Sequence, residues 1–162
     1  MRYITRVNYW LFKSEPREFS FDDLLKRPGK SEPWTGIRNY QARNFIRDAM
    51  QVGDKVLFYH SSTALPAVVG IAEIISKPYP DPLQFDDKSG YFDKGSPTDN
   101  PRWLAIDIKA VKKLKKEVTF EQLKKEPTLQ TMRLVQRGNR LSVLPVTKDE
   151  FQTIVKLAGE EV

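Results

Sequence analysis

Three strand-like runs follow one another between Lys55 and Val111 with no helical stretch among them, and nothing else in the sequence restricts the fold as much. Lys55–His60 is a short apolar run. Ala67–Ser76 carries Val68, Val69, Ile71, Ile74 and Ile75 around a central Gly70, which marks a bulge or a bend. Trp103–Val111 alternates, with Leu104, Ile106 and Ile108 facing one way and Asp107 and Lys109 the other. Consecutive strands of this kind favour antiparallel pairing. There is no strand–helix repeat, so a doubly wound parallel sheet is disfavoured, and the chain reads as α+β around a curved or closed sheet.

Short elements surround that core. Tyr9–Phe12 is an aromatic strand. Ser20 opens a helix with Asp22 and Asp23 in its first turn, and the helix stops near Pro28-Gly29. Over Tyr40–Met50, the positions Ala42, Phe45, Ile46, Ala49 and Met50 recur at helical spacing and form one apolar face. Thr119-Phe120-Glu121-Gln122 is a capping box whose helix ends before Pro127. A second short helix is expected over Leu129–Gln136 with Gly138 as its stop. Leu141–Pro145 reads as a strand. Thr147-Lys148-Asp149-Glu150 caps a final helix that buries Phe151, Ile154, Val155 and Leu157.

Composition removes whole classes of chemistry. A chain of 162 residues is the size of one domain, expected to span 1–162 with its core at about 8–158. It has no cysteine, which excludes disulfides, thiol catalysis, zinc ribbons and iron–sulfur clusters. With one histidine, His60, it holds no multi-histidine metal site, and no cofactor is expected. No apolar run approaches the ~20 residues of a membrane span. Met1–Arg6 lacks the apolar core of a leader peptide, so a cytoplasmic location and no membrane partner are expected.

The net charge is +6 and its distribution is uneven. Asp81–Asp99 holds five aspartates and two lysines, a net of −3, which leaves +9 on the rest. Pro80, Pro82, Gly90, Gly95 and Pro97 make that acidic segment a loop, either a lid or rim or a solvated insertion. Lys109, Lys112, Lys113, Lys115 and Lys116 follow an apolar strand. They read either as phosphate contacts or as a solvated edge guard.

Four segments hold the candidate site residues. In Trp34-Thr35-Gly36-Ile37-Arg38-Asn39-Tyr40-Gln41-Ala42-Arg43-Asn44, a loop runs into a helix N-terminus, where free N–H groups and the forks of Arg38 and Arg43 suit anions. A core tryptophan, an N-cap asparagine and surface arginines explain the same residues. Tyr59-His60-Ser61-Ser62 ends a strand. Neighbours on a strand point to opposite faces, so His60 and Ser61 do not form a base–nucleophile pair. Arg137-Gly138-Asn139-Arg140-Leu141-Ser142 is a basic turn, and Lys13-Ser14-Glu15-Pro16 follows the first strand. There is no nucleophile elbow, phosphate-binding loop or dinucleotide fingerprint.

Read in order, Tyr9-Trp10-Leu11-Phe12-Lys13-Ser14-Glu15-Pro16, Trp34 through Asn44, Gly53-Asp54, Phe58-Tyr59-His60-Ser61, Val69-Gly70-Ile71-Ala72, Tyr79-Pro80-Asp81-Pro82, Trp103, Asn139-Arg140-Leu141-Ser142-Val143 and Pro145-Val146 resemble the EVE-domain family, which includes the thymocyte nuclear protein group. The likeness runs from Asn8 to about Ala158. Ile37 stands where the family usually has valine, and no basic N-terminal extension precedes the domain, as in bacterial-type single-domain members. The resemblance implies a PUA-like fold, a mixed and mostly antiparallel curved β-barrel surrounded by short helices and related to the YTH readers. It implies no catalytic activity. It implies a nucleobase pocket for 5-methylcytosine or 5-hydroxymethylcytosine in DNA, carried over onto Lys13, Ser14, Trp34, Asn39, Tyr59, His60, Ser61, Trp103, Leu141 and Ser142, with Arg140 carried beside them.

Physics adds the roles. Aromatic planes replace lost base stacking, hydroxyls and amides read the base edge, and Arg38, Arg43 and Arg140 hold phosphates. The expected partner is modified DNA or RNA, bound by a monomer. An RNA-binding module and a protein-interaction scaffold remain as alternatives. An enzyme using His60 and Asp54 as acid and base is the least supported, because ionisable pairs are scarce.

Overall fold

The computed structural model describes residues 6–161. Met1–Thr5, part of the stretch read for a leader, and Val162 at the domain boundary lie outside the described residues. Among the described residues, seven strands and four short helices follow in the order β1 (Tyr9–Ser14), α1 (Phe21–Lys26), β2 (Ser31–Trp34), α2 (Tyr40–Asp48), β3 (Lys55–His60), β4 (Ala67–Ile74), β5 (Tyr79–Pro80), β6 (Leu104–Thr119), α3 (Phe120–Lys125), β7 (Val143–Val146) and α4 (Lys148–Leu157).

The strands form one sheet in the order β2-β6-β4-β3-β1-β7, with β5 paired to β6. Five of the pairings are antiparallel and one, β1 with β3, is parallel. Of the curved or closed sheet expected, the structure has the curved form: β2 and β7 are its two free ends, so the barrel is open. Curvature comes from register shifts between Phe58 and Tyr59, Val68 and Gly70, and Ile71 and Ala72. Gly70 sits at one of them, and a Cβ there would stand 2.5 Å from the ring of Phe21. The bare backbone is what lets α1 lie on the sheet.

The core runs along both faces of β1, β3 and β4, with Phe12, Phe21, Phe58, Leu11, Leu57 and Ile74 fully buried. Ser20, Thr119 and Thr147 cap α1, α3 and α4 with complete capping boxes, and Asn39 caps α2 through Ala42 N–H. Helix α2 buries Ala42 and Ile46, with Phe45 and Ala49 half-buried beside them. Helix α4 buries Ile154 and Val155, while Phe151 and Leu157 are only half-buried.

Two expectations fail for identifiable reasons. Strand β6 continues through the lysine run to Thr119, because Leu114 and Val118 keep a buried face there while the lysines point to solvent. The helix over Leu129–Gln136 does not form. A 3-10 turn at Pro127–Leu129 is followed by separate i→i+3 bonds from Met132, Val135 and Gln136. The side chains of Gln130, Gln136 and Asn139 take up carbonyls at Lys124, Glu126, Gln130 and Arg133.

Candidate functional site

The parallel pairing of β1 and β3 builds the site. It aligns Lys13 with Tyr59 and Ser14 with His60 at the strand ends. The N–H of Ser61 donates to Ser14 O at 3.0 Å, and the N–H of Lys13 donates to Ser142 O at 2.8 Å. Three segments far apart in the chain therefore meet where β1 and β3 stop. Two cavities open there, of about 440 and 450 Å³.

Lys13, Ser14, Trp34, Ser61, Arg140 and Ser142 line the first. Trp34 is half-buried, with its ring against Phe12, Phe19 and Phe58 at centroid distances of 5.6, 6.1 and 5.7 Å. The indole N–H groups of Trp10 and Trp103 are spent on Asp54 (2.9 Å) and Asp93 (2.7 Å). That of Trp34 bonds no described residue. Ser14 Oγ donates to Phe19 O at 2.5 Å and keeps its lone pairs free. Burial lowers the pKa of the Lys13 ammonium from its ordinary value.

Tyr59 lines the second cavity, together with Lys13 and Ser61, which border both. Asn39, His60, Trp103, Leu141, Arg38 and Arg43 line neither. Asn39 is committed as the α2 cap. His60 Nε2 accepts the N–H of Phe21 at 3.1 Å, and burial lowers its pKa. Leu141 belongs to the core. Arg43 holds Arg102 O and Asn44. Arg38 lies 5.5 Å from the ring centroids of both Tyr91 and Trp103, and it donates to Asp81 Oδ2, Ile37 O and Tyr91 O. Four of its five N–H donors are thus bonded within the protein.

That arginine fastens the acidic loop over the first cavity. Asp81, fully buried, accepts from Arg38 and from the N–H groups of Gly36 and Leu83. The loop then carries Tyr91 across Gly36 to the cavity rim. Tyr91 and Phe19 are the aromatic lining residues that sequence reading missed. For Tyr91 the available signal was the acidic loop itself, read there either as a lid or rim or as a solvated insertion. Asp54 and His60 stand at opposite ends of β3. Asp54 is buried and accepts from Asn8 N–H, Gln51 N–H and Trp10 Nε1–H, so no acid–base pair forms between them. Among the described residues no group of three metal-ligating side chains is present, and no helix is long and apolar enough to cross a membrane.

The model of the EVE domain matches residues 8–157. The chain belongs to the EVE-domain family. Thymocyte nuclear protein 1 of Mus musculus is 39% identical over 171 residues, covering 95% of this chain and 75% of that protein. Among solved structures, a hypothetical protein from Leishmania major superposes with a TM-score of 0.88 at 44% identity, covering 95% of this chain and 96% of that one. The human THYN1 protein in complex with 5-methylcytosine-containing DNA superposes with a TM-score of 0.89 at 35% identity, covering 96% and 99%. A YTH domain from Zygosaccharomyces rouxii shares the fold at a TM-score of 0.55 and 16% identity, covering 100% and 92%. The EVE domain here is thus the PUA-like α+β fold with an open sheet.

Proposed function

We propose that this EVE domain binds DNA and reads a modified nucleobase, 5-methylcytosine or its hydroxymethyl form, in the cavity beside Trp34. The observation that carries the reading is Trp34 itself: a half-buried aromatic plane with an unspent N–H, lining a cavity within the roughly 300–1,000 Å³ range of small-ligand sites. The human relative bound to 5-methylcytosine-containing DNA supports the choice of ligand.

A base inside a duplex cannot reach such a cavity, so it must leave the stack. Trp34, with Phe19 and Tyr91 at the rim, replaces the lost stacking, worth about 1–3 kcal/mol per base. The hydroxyls of Ser14, Ser61 and Ser142 and the free Trp34 N–H meet the polar edge of the base. A buried methyl adds only about 0.8 kcal/mol, a several-fold preference, and a hydroxymethyl with its own hydrogen bond does better. Arg140, exposed at the rim, holds a phosphate. Asn39, His60, Leu141, Trp103, Arg38 and Arg43 act indirectly, by holding the walls. On this reading the working unit is a monomer that recognises its ligand and does not transform it.

The test is equilibrium binding to matched DNA and RNA oligonucleotides with and without the modified base, at one salt concentration. Trp34→Ala should weaken binding to the modified DNA more than to the plain one, and Arg140→Ala should weaken both equally. A folded Trp34→Ala variant with unchanged preference would overturn the reading. A preference for RNA would move the ligand to that polymer, and no binding at all would leave a protein-interaction scaffold.

A further inference from the structure

The two cavities differ in charge. Around the first, Lys13, Arg27 and Arg140 face Glu15, Glu18 and Glu32, a balance suited to an uncharged base. Around the second, Lys13, Lys124 and Arg137 meet no carboxylate in the lining. Lys124 is partly neutralised by Glu121 at 2.8 Å.

Tyr59 points to what belongs there. Its side chain lines the second cavity and the residue is only 5% exposed, yet its hydroxyl bonds no described residue. The rest of the residue is packed while the hydroxyl stays open to the cavity, so it is a positioned donor available to an acceptor that enters. Burial pushes its pKa up to about 12, which keeps the O–H a donor at neutral pH. An open donor among cations is complementary to an anion.

The sheet places this anion site relative to the base. Partners in a parallel pair share a face, and successive residues alternate. Lys13 and Tyr59 therefore lie on one face of β1 and β3, while Phe12, Phe58 and Trp34 pack together on the other. The cavities lie back to back across the strand ends and share Lys13 and Ser61. A strand that sends one base into the first cavity must carry its backbone over those ends.

We propose that the second cavity is a subsite for the backbone phosphodiester next to the flipped nucleotide, with Tyr59 Oη donating to a non-bridging oxygen and Arg137 and Lys13 supplying the charge. The proposal rests on the DNA-binding reading above. It goes beyond it by assigning a ligand group to a cavity on the opposite face of the sheet.

The experiment uses a short single-stranded DNA with one 5-methylcytosine and a series in which each phosphate in turn is a neutral methylphosphonate. Binding is measured for the wild type, Tyr59→Phe and Arg137→Gln. One methylphosphonate beside the modified base should weaken wild-type binding roughly tenfold, and each variant should lose a similar factor on the unmodified backbone. In the variants that methylphosphonate should cost much less than it does in the wild type, since the contact is already gone. Tyr59→Phe removes a hydroxyl that bonds no described residue and Arg137 is exposed, so the melting temperatures should stay at the wild-type value. Equal affinities for variants and wild type, or losses that simply multiply with the methylphosphonate, would overturn the proposal. If the wild type prefers the modified base while no single phosphate matters, the phosphate subsite falls and the base reading stands. If the wild type binds no DNA, both fall.

Discussion

Gly36→Ala separates the backbone of the cavity rim from the ring that rests on it. Gly36 has φ +83° and donates its N–H to Asp81 Oδ2 at 2.8 Å. An added Cβ would stand 3.0 Å from Cζ of Tyr91 and 3.1 and 3.3 Å from its ε carbons. The left-handed conformation costs an L residue about 1–2 kcal/mol. The ring contact adds only ~0.5 kcal/mol, because Tyr91 is 46% exposed and can turn aside. The sum, about 1.5–2.5 kcal/mol, lowers the melting temperature by roughly 3–10 °C for a chain of this size. A displaced Tyr91 also opens the aromatic rim, and affinity for an oligonucleotide containing 5-methylcytosine should fall about fivefold or more. The assay is urea denaturation beside equilibrium binding, for Gly36→Ala, Tyr91→Ala and the double variant. The backbone cost should persist in the double variant, while the binding loss should not grow beyond that of Tyr91→Ala. A destabilisation that vanishes without Tyr91 would refute the backbone argument. A binding loss that is fully additive would refute the link through the ring.

Gly70→Ala should cost about 1–3 kcal/mol in urea denaturation, because its Cβ would meet the Phe21 ring at 2.5 Å and that ring is held against Phe58 in the core. Asp54→Asn should cost about 1–3 kcal/mol, since an amide presents hydrogens to N–H groups that Asp54 now accepts, which chemical denaturation will show. His60 is held below its ordinary pKa by burial and accepts a hydrogen bond through Nε2, so the unfolded chain binds the proton more readily. Its contribution is complete above the unfolded value and is lost as pH falls through the folded one; melting curves against pH should show this fall below about 6.5, and His60→Gln should flatten it. DNA affinity should drop steeply with salt while the ratio of modified to plain DNA stays constant, as anisotropy titrations at several salt concentrations will test.

Much of this molecule is written locally in the chain. The alternation over Trp103–Val111, the helical spacing of Ala42, Phe45, Ile46 and Ala49, and the capping residues Ser20, Thr119 and Thr147 each follow from a few neighbouring residues, and the structure has the corresponding elements. The ordered motifs from Tyr9 to Val146 carried the family as well. Where neighbours competed, local reading failed: the Gln136 side chain took Gln130 O, a carbonyl that a helix over Leu129–Gln136 needs, and the Gln130 and Asn139 side chains tied down the carbonyls flanking it. The site was harder still, because its residues touch only through pairings made at long range. The parallel register of β1 and β3 put Lys13 beside Tyr59 on one face and left Trp34 over the other. Arg38 and Arg43 looked like open phosphate forks in the sequence, and only folding brought Asp81, Tyr91 O and Arg102 O within reach of their donors. Residue type fixes which hydrogen bonds and stacks a side chain can make. Tertiary contacts decide which of them are already spent inside the protein and which, as at Trp34 and Tyr59, stay open for a ligand.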